Sequence, residues 1–270
     1  MDNSLKSKVA IVTGGGTGIG RGVSIALALE GSKVVICGRR KDRLEATVKD
    51  IQDAGGEAKY VQADVSKTDD VDILIKTTLE AYDKIDILIN NAGIYKGGAT
   101  YELDIDSWDQ VMDINLRGPF LTIRNVLPLM RDQRSGHIIN ISSESGIEYY
   151  KNDAVYGISK HALNDLGEYI QRENQGVNIR VNTICPGMVV TEMTEKSPGL
   201  DHKKCLYPED ISDLVIWLLS RRPNIKIGTP FRPCRTHGNV HEIGNFVLCS
   251  KKREDLNDPP DQKGKRYAPW

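Results

Sequence analysis

Charge of one sign is missing from this chain: 36 basic and 37 acidic side chains leave a formal net charge of −1 over 270 residues. So even a balance gives no electrostatic reason to expect nucleic acid or an anionic membrane as a partner. Long apolar runs are missing as well. No stretch approaches the length of a membrane span, and the polar N-terminus shows no signal or transit peptide before a strand pattern begins. The five cysteines are an odd number for a disulfide framework. Cys37 and Cys185 stand in apolar surroundings, and a reducing, cytoplasmic setting is expected. Internal repeats and Gly/Ser linkers are absent too. The length that remains suits one large α/β domain with a substantial core.

What is there alternates. Short Val/Ile/Leu runs predict strands at 8–13, 33–37, 58–62, 85–89, 136–141 and 178–184. Apolar-periodic segments predict helices at 18–30, 41–54, 68–82, 106–130, 154–174 and 209–220. Strand-then-helix alternation with nearly continuous apolar strands implies a parallel sheet covered on both faces. Residues 8–20 read Lys-Val-Ala-Ile-Val-Thr-Gly-Gly-Gly-Thr-Gly-Ile-Gly. A β-branched run thus breaks into glycines and enters a helix, which is the strand, phosphate-cradling turn and helix N-terminus of a dinucleotide site. The spacing is T-G-x-x-x-G-x-G, not the commoner G-x-G-x-x-G. A turn with no ligand is the alternative, and the flanking strand and helix weigh against it.

Farther along, Tyr156 and Lys160 stand four apart, with Ser143 thirteen residues before the tyrosine. Four residues is one helix face, where an ammonium can lower a phenol's pKa and make it a usable proton donor. A hydroxyl from an upstream strand end can hold a carbonyl oxygen against that phenol. Y-x-x-x-K alone is weak, since any helix can carry it by accident.

Together, the glycine turn and the Ser143, Tyr156, Lys160 set resemble the short-chain dehydrogenase/reductase family in its smaller single-domain branch, which includes 3-oxoacyl thioester reductases and NADP-dependent alcohol dehydrogenases. The match runs from about Lys8 to about Leu219. It includes Asp64-Val65, Asn90-Asn91-Ala92-Gly93, Asn115, and Pro186-Gly187 with Thr191, all in the family's order. The resemblance implies a Rossmann-type doubly wound parallel sheet of about seven strands, the seventh near 225–231. It further implies cofactor contacts from Gly14, Thr17, Gly18, Ile19 and Gly20 in the turn. Asp64 would accept a hydrogen bond from the adenine amino group, with Val65 beside it. Asn91 and Ala92 lie at a strand's C-terminal end, the ligand side of such a sheet. Pro186, Gly187, Val189 and Thr191 would meet the nicotinamide carboxamide. The implied catalytic set is Asn115, Ser143, Tyr156 and Lys160. Tyr156 exchanges the proton, Ser143 stabilises the developing alkoxide, Lys160 also holds the nicotinamide ribose, and Asn115 supports a water linking Lys160 to solvent. Ser142 rivals Ser143, but the family form S-x-x-G selects Ser143.

Cofactor choice rests on another absence. An NAD-type site offers a carboxylate at the end of the second strand to the adenosine ribose. Here Gly38 stands in that place, Arg39 follows, and the first acid is Asp42. A guanidinium there can grip a 2′-phosphate through forked, charge-assisted hydrogen bonds. NADP(H) is therefore expected over NAD(H), although Arg39, Arg40 and Lys41 also read as a solvated helix start.

The substrate is expected to be a small or medium carbonyl compound, or the matching alcohol, in a pocket built from Ile94-Tyr95, residues 148–152 and the loop 192–207. Tyr95, Tyr149 and Tyr150 are candidate aromatic walls. The catalytic domain is placed at 1–233. Residues 234–270 form an atypical extension in which the usual tetramer segment is lost and 251–270 read as disordered. A homodimer through 106–130 and 154–174 is expected, with a tetramer as the alternative. Cys234, His237, His241 and Cys249 fall within sixteen residues and could form a tetrahedral zinc site. A strand and hairpin containing these residues account for them as well, and no metal is assigned. The competing class is a regulator that binds NADP(H) on this fold without chemistry. An NAD-dependent alcohol dehydrogenase is the other rival.

Overall fold

Six β-branched runs set the frame. In the computed structural model, which describes residues 5–195, 197 and 201–222 and the backbone of two later strands, they form β1 (Val9–Thr13), β2 (Lys33–Gly38), β3 (Glu57–Gln62), β4 (Ile87–Asn90), β5 (Gly136–Ile141) and β6 (Ile179–Ile184). They pair in the order β3-β2-β1-β4-β5-β6, every neighbour parallel. The expected seventh strand at 225–231 lies outside the described residues, as do the 251–270 tail and the Cys/His cluster. Two short strands, β7 (Glu242–Ile243) and β8 (Phe246–Val247), pair antiparallel in a sheet of their own.

The side-chain period of two divides each strand between two cores. Ala10, Val12, Val34 and Ile36 pack under α1 (Gly18–Leu29), α2 (Lys41–Asp53) and α7 (Pro208–Leu219). Val9, Ile11, Val35 and Cys37 face the opposite way, toward α3 (Thr68–Tyr82) and α5 (Gly118–Asp132), with Leu166 and Ile170 of α6 (Ala154–Glu173). α7 shows why such segments are helical. Pro208 sits at its first turn, Asp210 accepts from the Tyr207 backbone at 2.7 Å, and Ile211, Leu214, Val215 and Leu218 make one buried stripe. Strand order reverses between β1 and β4, so a crevice opens at their C-terminal ends.

One expectation needs correction. The segment read as a single helix over 106–130 is α4 (Ile105–Met112), a π turn (Asp113–Arg117) and then α5. Gly118-Pro119 explains the break. Pro119 has no N–H to give the Asn115 carbonyl, its partner in an unbroken α-helix. A π turn absorbs the mismatch, and such turns recur at functional sites.

His137 in β5 gives the fold a pH dependence. Its ring is buried, with Nε2 2.8 Å from Asn182 Oδ1 and no partner for Nδ1 among the described residues. Burial, then the nearby Arg180 charge, pushes its pKa down from 6.5 to about 3. The unfolded chain takes up this proton near 6.5 and the folded chain does not, so stability falls as pH drops below that value. The expected slope is about 1.4 kcal/mol per pH unit. Urea midpoints measured between pH 6.5 and 5 should drop steeply in the wild type and less in His137→Asn. Parallel slopes would show that another group titrates.

Candidate active site

The glycine turn closes because Thr13 ties the ends of β1 and β4 together. Its hydroxyl accepts from the backbone N–H groups of Asn91 and Ala92, both at 3.0 Å, and donates to Ile89 O at 3.4 Å. The Asn91 amide donates in turn to Thr13 O at 2.9 Å and Gly14 O at 3.3 Å. Gly14 has φ +66°, and a Cβ there would stand 2.9 Å from the Asn91 amide nitrogen. A Cβ on Gly20 would run into the Gly14 carbonyl and the same amide. Gly20 is thus packed behind the turn, whereas Asn91 both braces it and lines the cleft in front. Gly14, Thr17, Gly18 and Ile19 line a cleft of about 550 Å³.

The other side of that cleft comes from the ends of β2, β3 and β4. Gly38 and Arg39 line it, as do Asp64, Val65 and Ala92. Asp64 accepts from Ser66 N at 3.0 Å and Ser66 Oγ at 2.7 Å. Burial pushes its carboxyl up, but the Ser66 hydrogen bonds and the charges of Arg39 and Lys67 outweigh it and hold the pKa low. Val65 meets the start of α5, where a Cβ on Gly118 would lie 2.8 Å from it. After β6, Pro186 accepts from Glu144 N at 2.8 Å, which joins the β5 and β6 loops. Val189 is buried, and the Thr191 methyl would touch a Cβ on Gly18 at 3.0 Å.

The cleft ends at Tyr156 and Lys160 on α6. Lys160 is only 4% exposed; its ammonium donates to Ile141 O at 3.0 Å and sits 5.6 Å from the Tyr156 ring centroid. Burial depresses its pKa from 10.5 to about 8. Ser143, which caps a short 3₁₀ turn over Glu144–Gly146, stands close enough to the Tyr156 phenol to draw its pKa down. Ser142, the rival hydroxyl, donates to Lys160 O at 3.1 Å, so its proton is committed to the helix backbone. The phenol does not show the lowered pKa expected from the spacing. Burial pushes it up to about 12, against the downward pull of Ser143, and the neighbouring acidic groups, Asp153 first, raise it further. The reason is geometric, since the ammonium lies by the ring and spends a hydrogen bond on Ile141.

Asn115 sits in the π turn behind this group. Its amide accepts from Ile94 N at 2.8 Å and donates to Ile94 O at 2.9 Å and Ser159 Oγ at 3.1 Å. The side chain is a brace holding the β4 loop to α6. Tyr95 on that loop packs edge-on against Tyr156, centroids 5.1 Å apart. Tyr149, also expected as a pocket wall, is exposed and stacks on His161 at 5.0 Å instead.

Sequence reasoning left Thr13, Arg40 and Arg43 out of the site and gave Glu192 only as the first residue of the pocket loop 192–207. Thr13 carried a signal, as a polar residue ending an otherwise apolar strand. Arg40 and Arg43, neighbours at the start of α2, lie far in sequence from Glu192 and meet it only in the fold.

Glycine turn, switch-point cleft and Ser/Tyr/Lys group together define a nucleotide-linked oxidoreductase scaffold. The chain belongs to the short-chain dehydrogenase/reductase family: the family model for short chain dehydrogenase matches residues 8–199. An uncharacterized oxidoreductase of Staphylococcus aureus is 36% identical over 223 residues, which covers 83% of this chain and 95% of the relative. One from Staphylococcus saprophyticus is 38% identical over 226 residues, with the same coverage of each chain. Among solved structures, an actinorhodin polyketide ketoreductase variant with NADPH is similar at TM-score 0.75 and 31% identity, covering 79% of this chain and 90% of that one. Levodione reductase is similar at TM-score 0.75 and 31% identity, covering 79% and 91%. No helix among the described residues is long and apolar enough to cross a membrane.

Proposed function

We propose that the protein is an NADP(H)-dependent carbonyl reductase, acting on a small or medium ketone, keto acid or 3-oxoacyl thioester, or on the alcohol in reverse. The observation that carries this is the Tyr156 phenol, paired with Ser143 and backed by buried Lys160, at the end of the cleft that begins at the glycine turn. The residues present fit a dinucleotide. Gly14 and Gly20, where side chains have no room, let the turn close directly onto the N-terminus of α1, and the orphan N–H groups of a helix N-terminus suit a pyrophosphate.

When bound, the dihydronicotinamide supplies hydride to the carbonyl carbon. Tyr156 gives its proton to the carbonyl oxygen, and Ser143 donates a hydrogen bond to that same oxygen as charge develops on it. Lys160, with its pKa near 8, is placed to return a proton toward the phenol. A water serving Lys160 would hang on the Asn115 carbonyl, which lacks its α-helical donor, because the Asn115 amide is already engaged. Reduction needs Tyr156 protonated, as its raised pKa keeps it at neutral pH, whereas alcohol oxidation needs the phenolate and should accelerate as pH rises.

NADP(H) preference is supported by the missing acid at Gly38 and by Arg39 on the cleft wall. The NADPH in the similar ketoreductase structure points the same way. Arg39→Ala should weaken NADPH binding about tenfold or more, as loss of a charge-assisted contact does, and leave NADH nearly unchanged. Initial-rate oxidation of NADPH and NADH across ketones, keto acids and 3-oxoacyl thioesters tests the whole reading. Turnover with NADPH would name the substrate class. Tight NADPH binding without turnover on any carbonyl would favour the regulator instead, and a clear NADH preference would remove Arg39 from the cofactor site.

A further inference from the structure

Two guanidiniums and one carboxylate meet across the mouth of the cleft in a way that the reductase chemistry does not use. Arg40 ends the β2–α2 connection, and Arg43 lies in the first turn of α2. Glu192 comes from the far side, in the turn after β6. Arg40 Nη1 donates to Glu192 Oε2 at 2.8 Å, and Arg43 Nη2 stands 3.0 Å from Glu192 Oε1. Both carboxylate oxygens are therefore held. Arg40 reaches back with Nη2 to Thr17 Oγ1 at 3.3 Å, at the N-terminus of α1. All four residues line the cleft.

The turn that carries Glu192 is built rather than loose. Thr194 N and Glu195 N donate to Thr191 O at 3.0 and 2.9 Å, and Thr194 Oγ1 bonds Val189 O at 2.5 Å. Thr191 N donates to Thr194 Oγ1 at 3.0 Å. The carboxylate thus projects from a fixed frame. Arg40 and Arg43 on the α2 side of the lining are thereby joined to Glu192 on the β6 side of the same cleft.

We propose that Glu192 is a latch: its carboxylate ties the turn after β6 to Arg40 and Arg43 across the dinucleotide groove, and it thereby sets how long the nicotinamide dinucleotide stays bound. The inference rests on the cofactor reading above. Cofactor then leaves only when both guanidiniums release Glu192. All three side chains are about half exposed, so the latch is weak per contact and sensitive to salt. A weak latch suits an enzyme that must release one nucleotide per turnover, since release limits many such cycles.

The test is nucleotide release, read without catalysis. NADPH fluorescence is followed as bound NADPH is chased by excess NADP⁺ in the wild type, Glu192→Gln, Arg43→Gln and the double variant. Glu192→Gln should release NADPH about three- to tenfold faster, Arg43→Gln less so, and the double variant no faster than Glu192→Gln alone. NADH release should accelerate by the same factor, and the acceleration should shrink as salt rises. Unchanged release in Glu192→Gln, or effects that simply add, would overturn the latch. Slower release would overturn it too and make Glu192 a competitor of the nucleotide's phosphates for the arginines. Failure of the wild type to bind either nucleotide would instead overturn the cofactor reading on which the latch stands.

Discussion

Tyr156→Phe should lower carbonyl reduction about 10²- to 10⁴-fold, the range for loss of a positioned general acid, while NADPH binding stays within about twofold of wild type. The substitution removes one oxygen and nothing else. The ring keeps its edge-on contact with Tyr95 and stays beside the Lys160 ammonium, so neither the α6 surface nor the cleft loses its shape. What disappears is the phenol oxygen that stands beside Ser143. Burial holds that phenol's pKa near 12, so it carries its proton throughout neutral pH and needs only a carbonyl oxygen to receive it. The measurements are kcat with NADPH and a fluorescence titration of NADPH on the same preparation. Turnover within tenfold of wild type would mean that the proton comes from elsewhere. Tyr95, the neighbouring phenol, would be the next to replace.

The fold was legible because two periods run cleanly through the chain. Val9 to Thr13 is buried at every position, and a continuous apolar run followed by glycines can hardly be anything but an internal parallel strand. α7 could be read from its proline, its acids and its apolar stripe. The π turn at Asp113–Arg117 was missed, although Gly118-Pro119 announces a break, because apolar period alone carries straight through it. For the site, residues that follow strand ends in order (Gly14, Asp64, Asn91, Ser143) were readable because sequence order and sheet order share one edge. The pairing of Arg40 and Arg43 with Glu192 was not, since 152 positions separate Arg40 from its carboxylate and nothing local marks either as a partner. The Tyr156 pKa was misjudged for a related reason. A spacing of four shows that two side chains share a face, but not which atom the ammonium chooses, and it chose Ile141 O.

Lys160→Met should abolish most turnover and yet stabilise the fold at neutral pH. The ammonium is almost wholly buried, and its depressed pKa, from 10.5 to about 8, corresponds to about 3 kcal/mol against the charged form. Methionine removes that burden with a side chain of similar length. It also leaves the Ile141 carbonyl without its donor, which costs about 1–3 kcal/mol. The balance is a gain of about 1 kcal/mol, or a Tm about 2–4 °C higher for a chain of this size. The pH dependence makes the argument decisive. The folded protein releases the Lys160 proton near pH 8 and the unfolded chain near 10.5, so wild-type stability rises between those values relative to the variant. The variant's advantage should be full below pH 8 and gone by about pH 10, where a neutral amine still bonds Ile141 and the wild type becomes the more stable. Thermal unfolding of both proteins at pH 7 and pH 10 reads the crossover directly. A variant less stable at both pH values would mean that Lys160 is well solvated or paired in the folded state. Its retention would then be a matter of stability, with no strain held in reserve for the phenol beside it.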